Sequence, residues 1–131
     1  MKEIKTAIEI NTMSPLVWAY VGDSIYELYV RTHLVKTTKL KPHQLHLKAI
    51  KYVKAKAQAE ILNIIKKDLT SDELDIVRRG RNAENHHLPK NVDVIEYRNA
   101  TALEGLIGYL YLSGNDRRMN EILDKCILAC I

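Results

Sequence analysis

The chain is 131 residues long, enough for one domain that buries roughly two-thirds of its unfolded surface in a single core. Glycine (5) and proline (3) occupy 8 of the 131 positions, about half the average usage of roughly 12%, while 47% of residues are hydrophobic and 27% charged, which excludes disorder, collagen and turn-rich β architectures. The net charge of +4 hides an asymmetry: residues 31–81 hold 13 Lys or Arg against 5 Asp or Glu, and the rest of the chain holds 7 against 11.

The opening "MKEIKTAIEINTM" is interrupted by acids and lacks the continuous apolar core of a secretory signal. No uncharged stretch approaches the roughly 18 residues of a membrane span, so a cytoplasmic protein with no membrane partner is expected. Ser14-Pro15 pairs an N-cap with the residue favoured at the first helical position, and Leu16 to about Leu34 follows with only Gly22 as a breaker. Lys41-Pro42 opens a second helix in which Leu45, Ala49, Tyr52 or Val53, Ala57 and Ile61 recur at spacings of three and four, predicting a run to Lys67. Thr70-Ser71-Asp72-Glu73 has capping-box spacing, which predicts a short helix from Ser71 that carries Leu74 and Val77 and ends or loosens at Gly80. "NAENHHLPKN" is the one long polar loop. Asp93, with Glu96 three later, starts a helix through Leu112, and Gly114-Asn115 precedes a last helix from about Asp116 to Leu128. No strand and no repeat is apparent, so the expected fold is all-α over residues 1–131. Cys126 and Cys130 read as two core thiols in a reducing compartment.

The basic half is single-signed over a long distance. From Leu28 to Ala59 there is no acid, while Arg31, Lys36, Lys39, Lys41, Lys48, Lys51, Lys54 and Lys56 are positive; Arg78, Arg79 and Arg81 form a second cluster. Such a run is either a solvated helix face or a track for a polyanion, and with few aromatics inside it suits phosphates more than stacked bases.

Two acids stand apart from the rest. Asp23 lies in "LVWAYVGDSIYELYV", a helix apolar on most of its circumference, and Glu104 in "TALEGLIGYLYL", another nearly all-apolar helix. A carboxylate in such a place is costly unless it pairs with a Lys or Arg or holds a metal, and two carboxylates converging on one point suit Mg²⁺, which takes oxygen ligands. Glu27, four residues after Asp23, is also four before Arg31 and is expected to pair with it. His43 and His46 lack a third ligand nearby, and His86 and His87 read as loop residues able to touch a phosphate. There is no Gly-rich phosphate loop, nucleophile elbow or Cys/His metal spacing, so covalent and nucleotide-dependent chemistry is unsupported.

These segments carry a resemblance. "AYVGDSIYELYVR" resembles the signature helix of the ribonuclease III family, and "TALEGLIGYLYL" that family's later helix with its second essential acid. "KPHQLHLKAIKYVKAKAQAEIL" and "VRRGRNAENHHLPKNVDVIEYRNAT" resemble the short bacterial subgroup called Mini-ribonuclease III. The likeness spans about Pro15 to Leu112. It implies an all-helical, single-domain fold of the ribonuclease III endonuclease type, without that family's separate double-stranded-RNA-binding domain. It further implies a homodimer and an Mg²⁺-dependent endoribonuclease, with Mn²⁺ able to substitute, that hydrolyses double-stranded RNA. By position, Asp23 and Glu104 match the family's metal-binding, catalytic acids, and Tyr20, three before the aspartate, matches an aromatic at the dimer contact. The long members carry further acids where this chain has Leu16, Ala19 and Thr101, a difference the Mini subgroup shares. The implied substrate is ribosomal RNA precursor, in maturation of the large-subunit (23S) RNA. Lys54, Lys56, Gln58, Arg79, Arg81 and Asn82 are the candidates for gripping the duplex across its wide minor groove. The alternatives are a non-catalytic helical nucleic-acid-binding module, in which Asp23 and Glu104 are merely ion-paired, or a structural subunit of a ribonucleoprotein, which the basic half suits equally well.

Overall fold

The computed structural model describes residues 6–130 and is all-α: α1 (Ala7–Thr12), α2 (Pro15–Thr37), α3 (Pro42–Val53), α4 (Ala55–Ile65), a 3-10 turn (Lys66–Asp68), α5 (Ser71–Asn82), α6 (Val94–Leu112) and α7 (Asp116–Ala129). The starts follow local chemistry. Ser14 Oγ accepts from the Leu16 N–H ahead of Pro15, the Thr70 hydroxyl and Glu73 carboxylate exchange hydrogen bonds in a capping box, and Asp93 accepts from the Glu96 N–H. Helix α1 was not expected; Thr6 and Glu9 cap it in the same reciprocal way.

The expected second helix is two. Lys54 is extended (φ −66°, ψ 151°) and serves both as the last cap of α3 and the first of α4. The break frees the Tyr52 carbonyl, and the Tyr26 hydroxyl donates to it at 3.0 Å. Burial pushes the Tyr26 phenol far above its ordinary range, so this donor keeps its proton. With the break, α3 lies on α2 while α4 lies on α6, two neighbours that one straight helix would not serve.

Helix α6 is the axis of the domain. It is buried on most of its circumference, and α2, α4, α5 and α7 pack around it. Trp18, Tyr26, Val30 and Leu34 of α2 meet Leu103, Leu106, Ile107 and Leu110 of α6, with Ile61 and Ile65 of α4 and Ile122, Leu123 and Cys126 of α7 closing the core. Both cysteines are free, Cys126 buried and Cys130 half-buried. Arg118 of α7 ties α5 to this assembly: it donates to both Glu73 carboxylate oxygens at 2.7 and 2.9 Å and to the Asp68 carbonyl at 2.8 Å, which holds the Glu73 carboxyl below the usual range.

At the α2–α6 crossing the two backbones touch. A Cβ on Gly22 would stand 1.8 Å from the Glu104 carbonyl oxygen, and one on Gly108 1.8 Å from the Trp18 carbonyl oxygen. Glycine is required at both positions because backbone meets backbone. On its far side α2 leaves Val17, Tyr20 and Leu28 exposed, Tyr20 by 82%. Among the described residues no helix is long and apolar enough to cross a membrane.

Candidate active site

Gly22 and Asp23 are consecutive, and that adjacency builds the site. The missing side chain of Gly22 lets the α2 backbone touch the Glu104 carbonyl, and the next residue's carboxylate then rides beside the Glu104 carboxyl, within hydrogen-bonding reach of it. Gln58, from α4, closes the other side: its amide Nε2 donates to Glu104 Oε2 at 3.3 Å. Three helices thus meet at one carboxyl group.

Burial, then the hydrogen bond to Asp23 and the negative charge of Asp23, push the Glu104 carboxyl up to about 8, while the Gln58 amide pulls it in the opposite direction. None of these causes is a cation, and neither acid meets a Lys or Arg among the described residues. Asp23 differs from the expectation in one respect. It is exposed, although it shares the face of α2 that carries buried Ala19, Tyr26, Val30 and Leu34.

Two adjacent carboxyls without a Lys or Arg partner among the described residues are the donor set that a small hard divalent cation satisfies. No cluster of three or more His, Cys, Asp or Glu completes a protein-only cage among the described residues. Water and substrate phosphate oxygens would fill the other positions, the arrangement Mg²⁺ favours over all-protein cages. Thr101, where long ribonuclease III members carry an acid, turns its hydroxyl into its own helix and donates to the Tyr97 carbonyl at 3.0 Å. Glu27 bonds Arg31 at 2.7 Å, as its spacing implied, and His43 and His46 are exposed at the start of α3 with no metal cluster around them.

The six basic and polar candidates fall into separate environments. Lys54 and Lys56 are exposed where α3 gives way to α4, one helical turn ahead of Gln58, and Arg81 and Asn82 are exposed at the end of α5. Gln58 itself is 2% exposed and turned onto Glu104, not outward with the lysines. Its position in the stripe Gln58, Ile61, Leu62, Ile65 was the signal in the sequence for an inward side chain. Arg79 is half-buried: its guanidinium donates to the Asn11 carbonyl at 2.6 Å and lies 4.7 Å from the centre of the Trp18 ring. Tyr109 meets the same tryptophan edge-on at 5.0 Å and donates to Asn11 Oδ1 at 2.9 Å, so Arg79 anchors α5 to α1 and α2. Beyond α5, Asn85 holds the polar loop to α6 by donating to the Tyr97 hydroxyl at 2.9 Å.

The family model of the ribonuclease III domain matches residues 16–115, a span that contains both acids, the crossing and Gln58. A Mini-ribonuclease 3 of Brevibacillus brevis is 50% identical over 115 residues, covering 88% of this chain and 86% of the relative. The Mini-ribonuclease 3 of Staphylococcus aureus is 43% identical over 120 residues, 90% of each chain. A crystal structure of a Fusobacterium nucleatum protein superposes with a TM-score of 0.80 at 30% identity, covering 93% of this chain and 98% of the other. With this extent of likeness and the paired acids at the α2–α6 crossing, the chain belongs to the ribonuclease III family, in its Mini-ribonuclease 3 group, and is an endoribonuclease.

Proposed function

We propose that this protein hydrolyses phosphodiester bonds of double-stranded RNA with Mg²⁺ held by Asp23 and Glu104, that it works as a homodimer in the cytoplasm, and that its physiological substrate is ribosomal RNA precursor on the way to large-subunit (23S) RNA. The observation that carries the catalytic part is the closeness of two carboxyls, neither of them ion-paired with a Lys or Arg among the described residues. A module in which these acids served only stability would be expected to pair them with lysine or arginine, which are abundant in this chain. The ribosomal substrate is supported by the Mini-ribonuclease 3 likeness.

Asp23, exposed at the surface, presents its carboxylate toward incoming substrate, and Glu104 stands behind it in the crossing. A divalent cation bound there supplies positive charge that favours deprotonation of the attacking water and offsets charge building on the phosphoryl oxygens. Glu104, whose carboxyl burial and the neighbouring Asp23 push up, would hold the cation as a carboxylate and so would have to lose its proton to do so. Lys54, Lys56, Arg81 and Asn82, exposed on helix ends, take the phosphates and sugar hydroxyls of an A-form duplex, with Arg79 holding α5 in place behind Arg81. Mn²⁺ meets the same oxygen donors and substitutes.

The dimer rests on the uncovered face of α2. Val17, Tyr20 and Leu28 are separated by helical spacings and exposed, an apolar stripe that a two-fold partner covers. Two-fold symmetry sets two Asp23–Glu104 pairs against one duplex, one for each strand.

The test is Asp23→Asn. The amide keeps the volume and loses the charge that holds the cation; a loss of about 4 kcal/mol of transition-state stabilisation slows cleavage roughly a thousandfold. Glu104→Gln behaves alike, and the double variant is little worse than either single because both serve one site. Duplex cleavage with and without Mg²⁺, together with circular dichroism, measures this, and near-wild-type turnover by folded Asp23→Asn refutes the reading.

A further inference from the structure

We infer that Gln58 is a positioning residue for metal binding: its buried amide fixes the orientation of the Glu104 carboxylate without neutralising it. The inference rests on the proposed metal-dependent reading and adds a residue to it.

The argument starts from the wrong residue type in a packed stripe. Gln58, Ile61, Leu62 and Ile65 form the face by which α4 lies on α6, and all four are buried. A leucine at the first position would fill the same space without the cost of desolvating an amide. A polar group is kept in such a place when it is hydrogen-bonded, and the bond here goes from Gln58 Nε2 to Glu104 Oε2 at 3.3 Å.

Charge then decides why this partner is an amide. A lysine or arginine in the same place would hold the carboxylate more tightly but would supply the positive charge itself, leaving a divalent cation less to bind. An aspartate or glutamate would add a third negative group to the Asp23–Glu104 pair. The neutral amide donates one hydrogen bond, restricts the carboxyl to one orientation and leaves its charge available. A metal-binding group held by a hydrogen-bond donor behind it is the usual construction of oxygen-ligand sites, and removing such a donor typically costs about 10–100-fold in metal affinity or activity. Gln58 also connects elements: it comes from α4, whereas the two acids come from α2 and α6. The first turn of α4, which carries the exposed Lys54 and Lys56 at its leading end, is thereby joined to the carboxyl that binds the metal.

The experiment compares wild type with Gln58→Leu and Gln58→Met, the second an unbranched side chain of the same length that lacks a donor and adapts to the packing if leucine does not. Mn²⁺ affinity is measured by electron paramagnetic resonance without RNA, duplex-RNA affinity by titration without metal, and cleavage rate over a range of Mg²⁺ concentrations. The expected result is a Mn²⁺ affinity weaker by about tenfold or more, the Mg²⁺ concentration for half-maximal rate raised by a similar factor, and unchanged RNA affinity. Unchanged Mn²⁺ affinity in a folded variant overturns the inference. So does a loss of RNA affinity with metal binding intact, which makes Gln58 a duplex contact. Failure of the parent reading shows separately, as wild-type protein that binds no Mn²⁺ or as Asp23→Asn that still cuts; a wild type without a metal site overturns the inference as well.

Discussion

Two glycine-to-alanine substitutions at the α2–α6 crossing should act in opposite directions. At Gly22 a methyl group would stand 1.8 Å from the Glu104 carbonyl oxygen, 2.7 Å from its carbon and 2.9 Å from the Gly108 nitrogen, all backbone atoms that cannot swing aside. Ordinary contact begins near 3.4 Å, so α2 and α6 must part by about 1.5 Å. Overpacking costs typically about 1–3 kcal/mol and more where the obstacle is backbone; against this stands a gain of about 1 kcal/mol from alanine's helix propensity, leaving Gly22→Ala destabilised by about 3 kcal/mol. At Gly105 on α6 the nearest atom to a new methyl is the Pro15 carbonyl oxygen at 3.8 Å, so Gly105→Ala keeps the propensity gain of up to about 1 kcal/mol. With a urea slope of about 2 kcal/mol per molar, the two unfolding midpoints differ by about 2 M, measured by circular dichroism. Gly22→Ala also separates the carboxyl of Asp23 from that of Glu104, so its folded fraction cleaves RNA more slowly than wild type. Equal midpoints, or Gly105→Ala as the weaker of the two, refute the account of the crossing.

Other expectations follow from the same geometry. Glu104 keeps its proton up to about pH 8 in the fold, against an ordinary value of 4.5, so the metal-free protein loses stability as pH rises from about 4.5 through 8; urea melts of Glu104→Gln at pH 5, 7 and 9 should lack that decline. Metal competes with the same proton, so Mg²⁺ affinity should climb with pH through that window and calorimetry at pH 7 should register about one proton released per site. Arg79→Ala should lower stability by about 1–2 kcal/mol, having lost the Asn11 carbonyl and the Trp18 ring, whereas Arg81→Ala should leave stability within about 0.5 kcal/mol and reduce the salt slope of duplex binding by about one. Unfolding curves and binding titrations in several salt concentrations separate the two arginines. Tyr20→Lys sets like charges facing across the proposed two-fold axis, and sedimentation should show a folded monomer; a wild-type monomer that still cuts both strands contradicts the dimer.

What the sequence disclosed about this fold tracks how local each signal is. The caps at Ser14, Thr70 and Asp93 are made by residues two or three apart, and the helices they open begin where expected. Thr6 and Glu9 have the same spacing, so the signal for α1 is present in the sequence as well. The break at Lys54 was not: it involves no Gly or Pro, and its freed carbonyl is satisfied by Tyr26, 26 residues away. The two acids stood out as lone charges in apolar helices, yet their contact depends on Gly22 letting two backbones touch, a fact about a pair of helices that neither helix contains alone. Gln58 and Arg79 lie in or near basic runs and read as surface; each faces inward because of one partner on another helix, Glu104 for the first and Trp18 for the second.

Trp18 is the single tryptophan of the chain and is fully buried, and its carbonyl is the atom that forces glycine at position 108. Its indole N–H donates to the Ile10 carbonyl at 2.9 Å while Arg79 and Tyr109 cover the ring. The chain therefore carries a native fluorophore at the α2–α6 crossing, beside the proposed site. Its emission comes from one dry site and needs no label, and its wavelength and intensity follow any opening of α2 from α6 or any release of α5 by Arg79. Stopped-flow mixing with duplex RNA would then time the response of the crossing to substrate against the appearance of cut strands.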